Sequence, residues 1–499
     1  MNKENSKITL MRNKILSSPA KKIYIFLVLI LHFALLNANN TELFTNFTFL
    51  QGNYFQNFKE PYIYNKFENP AYFSHIFKKS YTIYNISAGQ KSNGYHRRFD
   101  PRSENQVGFD LQWIKQLNRN STLASGLKFH REYHKNVYNS LEKNYYANYF
   151  SITDTTQGHV NYQGPNLWLL YNHSLSDRLK AGLEIDYGIE RGLKNVYTEC
   201  KTIFIDIDSK FGLVYSLPDL QANIGLNLRY FNHSGKYEAV KEYQDAFIKT
   251  WIGYNLFIPE KPNATIRKND NRAGYNLGLH LNKNKLFGSN WGIRIITDLG
   301  TQSSKIDVGR PANTKKRGYW QRNGYRLVLN PFYNDGNIDI ELVAGVKLIS
   351  DWGMPKDYEV ITFENQRNIA RLGGFIKSIP VAFFELNCGY EYKLIKSNYD
   401  EYAGNFHIDE KRLQQFANLG IQHKFNSKSK IYYQYFFERF EPDFHWTDTD
   451  YFNSFEFLLG FEQSSIFGVF NINMNYSSAT PNNVSKRIEK FGINLGYRK

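Results

Sequence analysis

Residues 107 to 113 read Val-Gly-Phe-Asp-Leu-Gln-Trp, apolar and polar in strict turn. After an Asn-Arg-Asn-Ser break at 118 to 121 the alternation resumes, with Leu123, Leu127, Phe129 and Tyr133 on one face. A period of two marks a strand with one apolar and one polar side. The pattern returns near 179–189, 222–230, 291–299, 338–348 and 382–392. Each run lasts about ten residues, whereas strands of ordinary globular proteins average about five or six. A tilted strand that crosses a bilayer needs about 9 to 11.

The links between runs come in two kinds. Short polar turns fall at 118–121, 176–177, 218–219, 334–337, 379–380, 426–429 and 463–465. Longer, less regular stretches fall at 134–164, 232–271, 301–322, 350–367, 395–410 and 441–450. Transmembrane barrels have short turns at one rim and long connections at the other. The apolar stripes also tend to start or end in Trp or Tyr, as at Trp113, Tyr187, Tyr230, Trp291 and Tyr325, and such rings favour the membrane interface. A soluble sandwich or propeller explains neither the strand lengths nor the aromatic ends. The expected fold is all-β: a transmembrane antiparallel up-and-down barrel over residues 80–499, of about 18 strands within a range of 14 to 18. The weakest strand signals lie at 80–90, 368–378 and 451–461. The apolar face then meets lipid and the polar face a lumen. Closure pairs every backbone group inside the bilayer, where an open edge is costly.

Composition agrees. The chain is 17% aromatic with a mean hydropathy of −0.54, which no bundle of membrane helices shows. The one long apolar run, Ile23 to Leu36, follows a basic stretch and is short for a membrane helix. Residues 1–38 therefore read as a signal peptide, with Met11 as a second candidate start and Leu36 a departure from the small residues favoured before a cleavage site. Six bases and one acid of the formal +16 fall in that leader, so the rest of the chain carries about +11. No nucleic-acid motif accompanies this charge, and a surface or rim property accounts for it. The two cysteines, Cys200 and Cys388, are far apart in sequence, and both are expected to be unpaired.

The last strand ends Lys490-Phe-Gly492-Ile-Asn-Leu495-Gly-Tyr497. The polar residue, the Gly two later and the hydrophobic residues three and five beyond it resemble the assembly signal of Gram-negative outer-membrane barrels. Lys490, Gly492, Leu495 and Tyr497 match it, and Arg498-Lys499 depart from its terminal aromatic. The resemblance implies an outer-membrane location, a lipid and lipopolysaccharide environment, and delivery by barrel-assembly machinery. Residues 39–79 are expected to be a periplasmic or lumen-plugging segment. Their Asn69-Pro70-Ala71-Tyr72 phrase resembles the opening of uncharacterised porin-like barrels of Bacteroidetes, among them barrels associated with type IX secretion. The segment is too short for the plug domain of a TonB-dependent receptor.

Thirteen charged residues on the polar faces are candidates for the lumen wall: Asp110, Lys128, Glu132, Lys180, Glu184, Asp186, Arg229, Arg294, Asp298, Arg326, Glu341, Lys347 and Glu385. Asp206, Asp208, Lys210 and Lys393 share that face. Such a wall either lines an aqueous pore or braces the barrel through opposite-charge pairs, and both readings stand. His130, Glu132 and His134 share one face of a strand. They are ligand types that zinc takes, but three polar lumen residues bonded to neighbours and water are the favoured explanation, so no metal is expected. The basic stretch from Lys305 to Arg322 is expected in an external loop, either as an ordinary solvated charge run or as a contact for lipopolysaccharide phosphates. No HExxH, phosphate-cradling glycine loop or Gly-x-Ser-x-Gly phrase occurs, and neither an enzyme nor a cofactor is expected. The leading functional expectation is porin-like passage of small solutes or of a specific nutrient. The alternatives are a non-conducting barrel that docks a surface lipoprotein, a secretion component or an adhesion partner, and, third, a barrel enzyme.

Overall fold

The computed structural model describes residues 69–73 and 80–498, apart from 141, 144, 195–198, 241–247, 260–264, 287–288, 311, 357–358, 382–383, 427–428, 446–448 and 466–467. The leader, residues 39–68 and residues 74–79 lie outside the described residues. The strands are β1 (Tyr81–Asn93), β2 (Ser103–Asn118), β3 (Ser121–Ser140), β4 (Ile152–Ser174), β5 (Leu179–Lys194), β6 (Glu199–Leu217), β7 (Ala222–Val240), β8 (Lys249–Trp251), β9 (Phe257–Pro259) and β10 (Ile266–Lys283). They continue as β11 (Trp291–Arg310), β12 (Asn313–Asn334), β13 (Asp339–Pro355), β14 (Phe363–Val381), β15 (Phe384–Glu401), β16 (Phe406–Lys424), β17 (Ser429–Phe440), β18 (Phe452–Ser464), β19 (Val469–Pro481) and β20 (Ile488–Arg498).

All of them but β8 and β9 form a closed antiparallel barrel of 18 strands. β7 pairs with β10, and β1 closes the ring by pairing with β20, Tyr84 opposite Tyr497 and Gly89 opposite Gly492. The C-terminal stripe is thus the seam strand. β1, β14 and β18 confirm the three weakest strand signals. No helix among the described residues is long and apolar enough to cross a membrane; the crossing falls to the strands.

The period-two faces sort as their chemistry demands. Val107, Phe109, Trp113 and Phe129 are 59%, 38%, 37% and 44% exposed on the outside of the wall, which is affordable only against lipid. Asp110 and Lys128, opposite one another in the register, point inward. Aromatic pairs mark the short-turn rim, with Trp291 against Tyr333 at 5.4 Å and Phe470 against Tyr497 at 4.7 Å between ring centres. A closed barrel with an apolar girdle and aromatic rims is an outer-membrane architecture, and that is where this chain resides.

Two expectations about connections need correction. The stretches 134–164, 232–271, 301–322 and 350–367 are largely strand, not loop: β11 and β12 run as a paired hairpin to Arg310 and Asn313. The wall therefore rises well above the girdle. There the outward face meets water and turns polar, which erases the alternation. The turn placed at Ile379–Pro380 falls later, between Val381 and Phe384. Pro380 sits in β14 beyond a register break between Ile376 and Ile379, where a missing N–H is tolerated.

The Asn69-Pro70-Ala71-Tyr72 phrase lies inside the barrel near the short-turn rim. The Asn69 side chain accepts from the Ala71 N–H at 2.9 Å and donates to the carbonyls of Leu226 at 3.0 Å and Leu213 at 3.3 Å. Asn172, fully buried, donates to the carbonyls of Pro70 and Ala71. Tyr72 packs toward Val214, Ile296 and Val328, and Phe73 toward Ile114, Ala124 and Leu170. The wall is hollowed for this turn. A Cβ on Gly182 would stand 2.4 Å from the Pro70 carbonyl carbon, and one on Gly212 2.0 Å from the Asn69 Oδ1. The two glycines are opposite one another in β5 and β6. Valine suits a strand, so a Gly182→Val, Gly212→Val barrel is expected to fold and to expel the turn. With Cys200 and Cys388 changed to Ser, maleimide labelling of an Ala71→Cys probe should then speed up at least about tenfold, the mark of an anchoring free energy of about 1.4 kcal/mol or more. Unchanged labelling would show that the glycines do not hold the turn.

Candidate functional site

The outer half of the lumen is occupied by the chain's own connections. The link from β3 to β4 turns inward and spans the barrel. At one end Lys268, on β10, reaches Glu142 at 2.6 Å and the Phe150 carbonyl at 2.5 Å, and both charged side chains are almost wholly buried. Asn148 donates to Asp270 at 3.0 Å. At the other end the Tyr149 hydroxyl donates to Asp351 at 2.6 Å, a carboxylate also held by Arg322 and Arg367. The link from β7 to β10 follows it inward. β8 pairs with the start of β4, Thr250 opposite Ile152, and Glu401 accepts from the Tyr254 and Asn255 N–H groups. Phe150, Ile152, Ile252, Trp320, Phe363 and Tyr399 form a core around these pieces. A charged chain segment stays in a barrel only if its polar groups are satisfied there, and these are.

A third contact knits the mouth. Arg97 pairs with Asp100 at 2.9 Å and lies 3.9 Å over the Tyr146 ring, which packs on His445 at 4.6 Å. Burial pushes the His445 imidazole down to about 4 against the pull of Asp443, so this ring is neutral in ordinary media.

Beside and below this plug lies a cavity of about 1140 Å³. Its wall carries ten Lys and Arg side chains against six Asp and Glu. Lys128, Glu132 and Lys347, three of the residues expected to line the lumen, border it. Most of the others brace the wall. Glu184 pairs with Lys210 at 3.0 Å, Arg229 with Asp208 at 2.5 Å, Asp298 with Arg326 at 2.5 Å, Arg294 with Glu341 at 3.6 Å and Glu385 with Lys424 at 3.2 Å. Asp186 accepts from Asn166, Asp110 accepts from Gln112, and Lys180 is half-buried on the same face.

His130, Glu132 and His134 also border the cavity, where Glu190 and Lys143 join them. Ligand atoms of His130, Glu132 and Glu190 fall within 4.8 Å of one another. The Lys143 ammonium already sits between the two carboxylates, 2.9 Å from Glu132 and 2.6 Å from Glu190, and His130 meets Glu190 at 2.6 Å. Burial alone would lower the Lys143 pKa, but Glu132 and Glu190 hold it above its ordinary value. The arrangement is an internal ion-pair cluster whose cation is a lysine.

Sequence reasoning missed Glu142, Tyr149, Lys268, Asp270 and Asp351, which build the plug. One signal was present. Ile203-Phe-Ile205 in β6 is apolar on both faces near the outer rim, and Phe204 on the inward side is buried in the cluster that holds Phe150 and Ile152.

Residues 70–498 match a family described as a family of unknown function, DUF6850. No curated protein is similar to the chain in sequence. Solved structures of similar shape include the ferric preacinetobactin receptor BauA of Acinetobacter baumannii, at 10% identity and a TM-score of 0.48, over 85% of this chain and 80% of that one. The ferric citrate transporter FecA, unliganded, gives 10% identity and a TM-score of 0.45 over 85% and 79%. The monoaromatic hydrocarbon channel CymD gives 11% and 0.33 over 86% and 91%.

Proposed function

The chain belongs to the DUF6850 family of unknown function, and we propose that it carries small anionic solutes across the outer membrane through a lumen gated by its own outer connections. The observation that carries this reading is two cross-strand pairs of like charge, set one rung apart. Arg326 stands opposite Lys347, and Arg371 opposite Lys393, on four successive strands. Like charges directly opposite one another destabilise a sheet. Asp298 holds Arg326 at 2.5 Å, so Lys347 lies across from an arginine whose carboxylate partner is already engaged, and Arg322, Arg367 and Lys393 border the same cavity. A wall kept at that cost makes sense where an anion relieves it. The basic excess around the cavity supports the same ligand sign, and Tyr95, Tyr146 and Tyr254 add hydroxyls and ring faces. Bracing pairs elsewhere supply rigidity, and the plug supplies the gate. The C-terminal Lys490, Gly492, Leu495 and Tyr497 support delivery by barrel-assembly machinery, and the Asn69-Pro70-Ala71 phrase supports kinship with porin-like barrels of Bacteroidetes.

The test is single-channel conductance of the refolded protein in a planar bilayer under a salt gradient. Brief or small steps with a reversal potential on the anion side are expected. Cation preference, or silence both in this protein and in a folded variant whose plug is released, would overturn the reading. A second reading, docking of a surface partner, is favoured by one observation. Val360, Ile361 and Tyr402 are 59%, 42% and 57% exposed at the outer rim, where the Tyr402 N–H meets the Thr362 carbonyl. Silence in both proteins would move the assignment there.

A further inference from the structure

We propose that the lipid-facing side of β7 to β13, at the outer edge of the girdle, binds a phosphorylated glycolipid of the outer leaflet. The cross-strand register lays this surface out in level rungs. The lowest is apolar: Leu228, Leu277, Leu299, Tyr325 and Leu348. The next holds Tyr230, Tyr275, Thr301, Asn323 and Ser350. These two rungs line a groove of about 680 Å³ in the outside of the wall. Tyr275 and Leu299 are 56% and 57% exposed there.

Above the groove the surface is polar and ordered. Thr301 bonds Asn323 at 2.9 Å, Asn323 accepts from Gln321 at 3.1 Å, and Gln321 accepts from the Tyr319 hydroxyl at 3.1 Å. Tyr319 stands opposite Lys305, and Lys305 opposite Asn271, which bonds Ser234 at 2.9 Å. One rung higher come Lys236, Asn269, Asp307 and Lys316. Nearby Lys236 and Arg267 share the single carboxylate of Glu238, at 3.7 and 2.9 Å, so Lys236, Arg267, Lys305 and Lys316 outnumber Glu238 and Asp307 on this patch.

This order of apolar slot, hydroxyl and amide band, then bases, reads as acyl chains, sugar, then phosphate. Rungs lie about 7 Å apart along a strand. Lys305 therefore stands two rungs, about 13 Å along the strand, above the groove's upper edge, less after correction for strand tilt. A glycerophospholipid places its phosphate directly above its chains, too low for this pattern. A saccharide headgroup fills the amide band and brings a phosphate within reach of the flexible Lys305 and Lys236 stems. The site is on the barrel's exterior and is independent of what the lumen carries.

The experiment is native mass spectrometry of the full-length barrel in detergent, titrated with a bis-phosphorylated glucosamine-disaccharide lipid, its dephosphorylated counterpart and phosphatidylglycerol. One tightly held bis-phosphorylated molecule is expected. Lys236→Glu with Lys305→Glu should weaken it about tenfold or more, and dephosphorylation of the lipid should do the same. Thr301→Trp, which fills the groove and leaves the charges alone, should weaken both glycolipids. Equal retention by the charge variant, or equal affinity for phosphatidylglycerol, overturns the proposal. Heat-dependent gel mobility confirms that each variant is a folded barrel.

Discussion

Lys268→Met is expected to open the outer lumen while leaving the barrel folded. Lys268 and Glu142 are buried together, 0% and 1% exposed in their side chains, and Lys268 also caps the Phe150 carbonyl. Removing one partner of a buried pair strands the other charge at a cost of about 3 to 5 kcal/mol. A residue fixed in the wall has no escape from such a penalty. Glu142 lies on a connection, and the connection escapes by swinging out and rehydrating its carboxylate. Among the remaining ties, Asn148 to Asp270 and Tyr149 to Asp351 are hydrogen bonds to charged groups worth about 1.5 to 3 kcal/mol each, and Lys143 stays with Glu132 and Glu190 in a partly exposed cluster, so closure is pushed toward balance. Larger and longer conductance steps are the expected signature, with trypsin cutting the connection at Lys143 in the variant and sparing it in the parent. Adding Glu142→Gln should restore closure, because a buried amide costs far less than a buried carboxylate. If Lys268→Met conducts as the parent does and resists trypsin equally, the plug is held by its apolar core and its other wall contacts without the Lys268–Glu142 pair.

Lys268 also shows where the sequence ceases to be readable. Below the rim, lipid on one side and polar lumen on the other write themselves into the chain as a period of two, and the girdle strands and seven of the inner turns could be read from it, the one at 379–380 a few residues early. The inner turn at 284–290 is missed, although Gly288-Ser289-Asn290 is a turn cluster of the same kind. Above the rim both sides of the wall are polar or both are covered. In Ile266-Arg-Lys-Asn-Asp-Asn-Arg272 no stripe survives, although Lys268, Asp270 and Arg272 face inward to the plug and Arg267, Asn269 and Asn271 face outward. A charged run of this kind resembles a solvated loop until its partners arrive, and Glu142 arrives from 126 residues away. The inner end failed differently. Asn69-Pro70-Ala71-Tyr72 was recognisable as a phrase, but its niche depends on Gly182, Gly212 and Gly225 meeting from three strands, and strand glycines are too common to announce a site. His130, Glu132 and His134 were correctly placed on one face by their spacing alone. Spacing gave no hint that Lys143 would supply the cation between Glu132 and Glu190, two strands away in the wall.

Replacing Lys347 and Lys393 together by Glu is expected to reverse the ion preference and, at the same time, to stabilise the barrel. The two effects share one cause. In the parent, Lys347 lies among Arg326, Arg322 and Arg367 and stands directly opposite Arg326, and Lys393 stands opposite Arg371. A glutamate at 347 gains an arginine partner where the lysine had a repulsion, and this site carries the gain; at 393 the gain from Arg371 is set against the nearby carboxylates of Glu391 and Glu438. Cross-strand pairs of opposite charge contribute about 0.2 to 1 kcal/mol each, and relief of the like-charge pair adds to that. The midpoint of thermal unfolding should therefore rise. The field in the cavity changes the other way. The double substitution swings the local charge by four units, and one unit acts on an ion about 10 Å away with about 0.4 kcal/mol even at the dielectric of water. The sum, about 1.7 kcal/mol, exceeds the energy of a tenfold preference, and low salt preserves it against screening. In a salt gradient the reversal potential should cross zero. Glu184→Gln serves as the contrasting variant: it breaks a bracing pair with Lys210 away from the cavity, so it should lower stability and leave selectivity alone. A Lys347→Glu, Lys393→Glu barrel that is more stable and still prefers anions would make the like-charge pairs a scaffold feature. A reversed preference in a more stable barrel would mean that the parent keeps an electrostatic strain for the ion it carries.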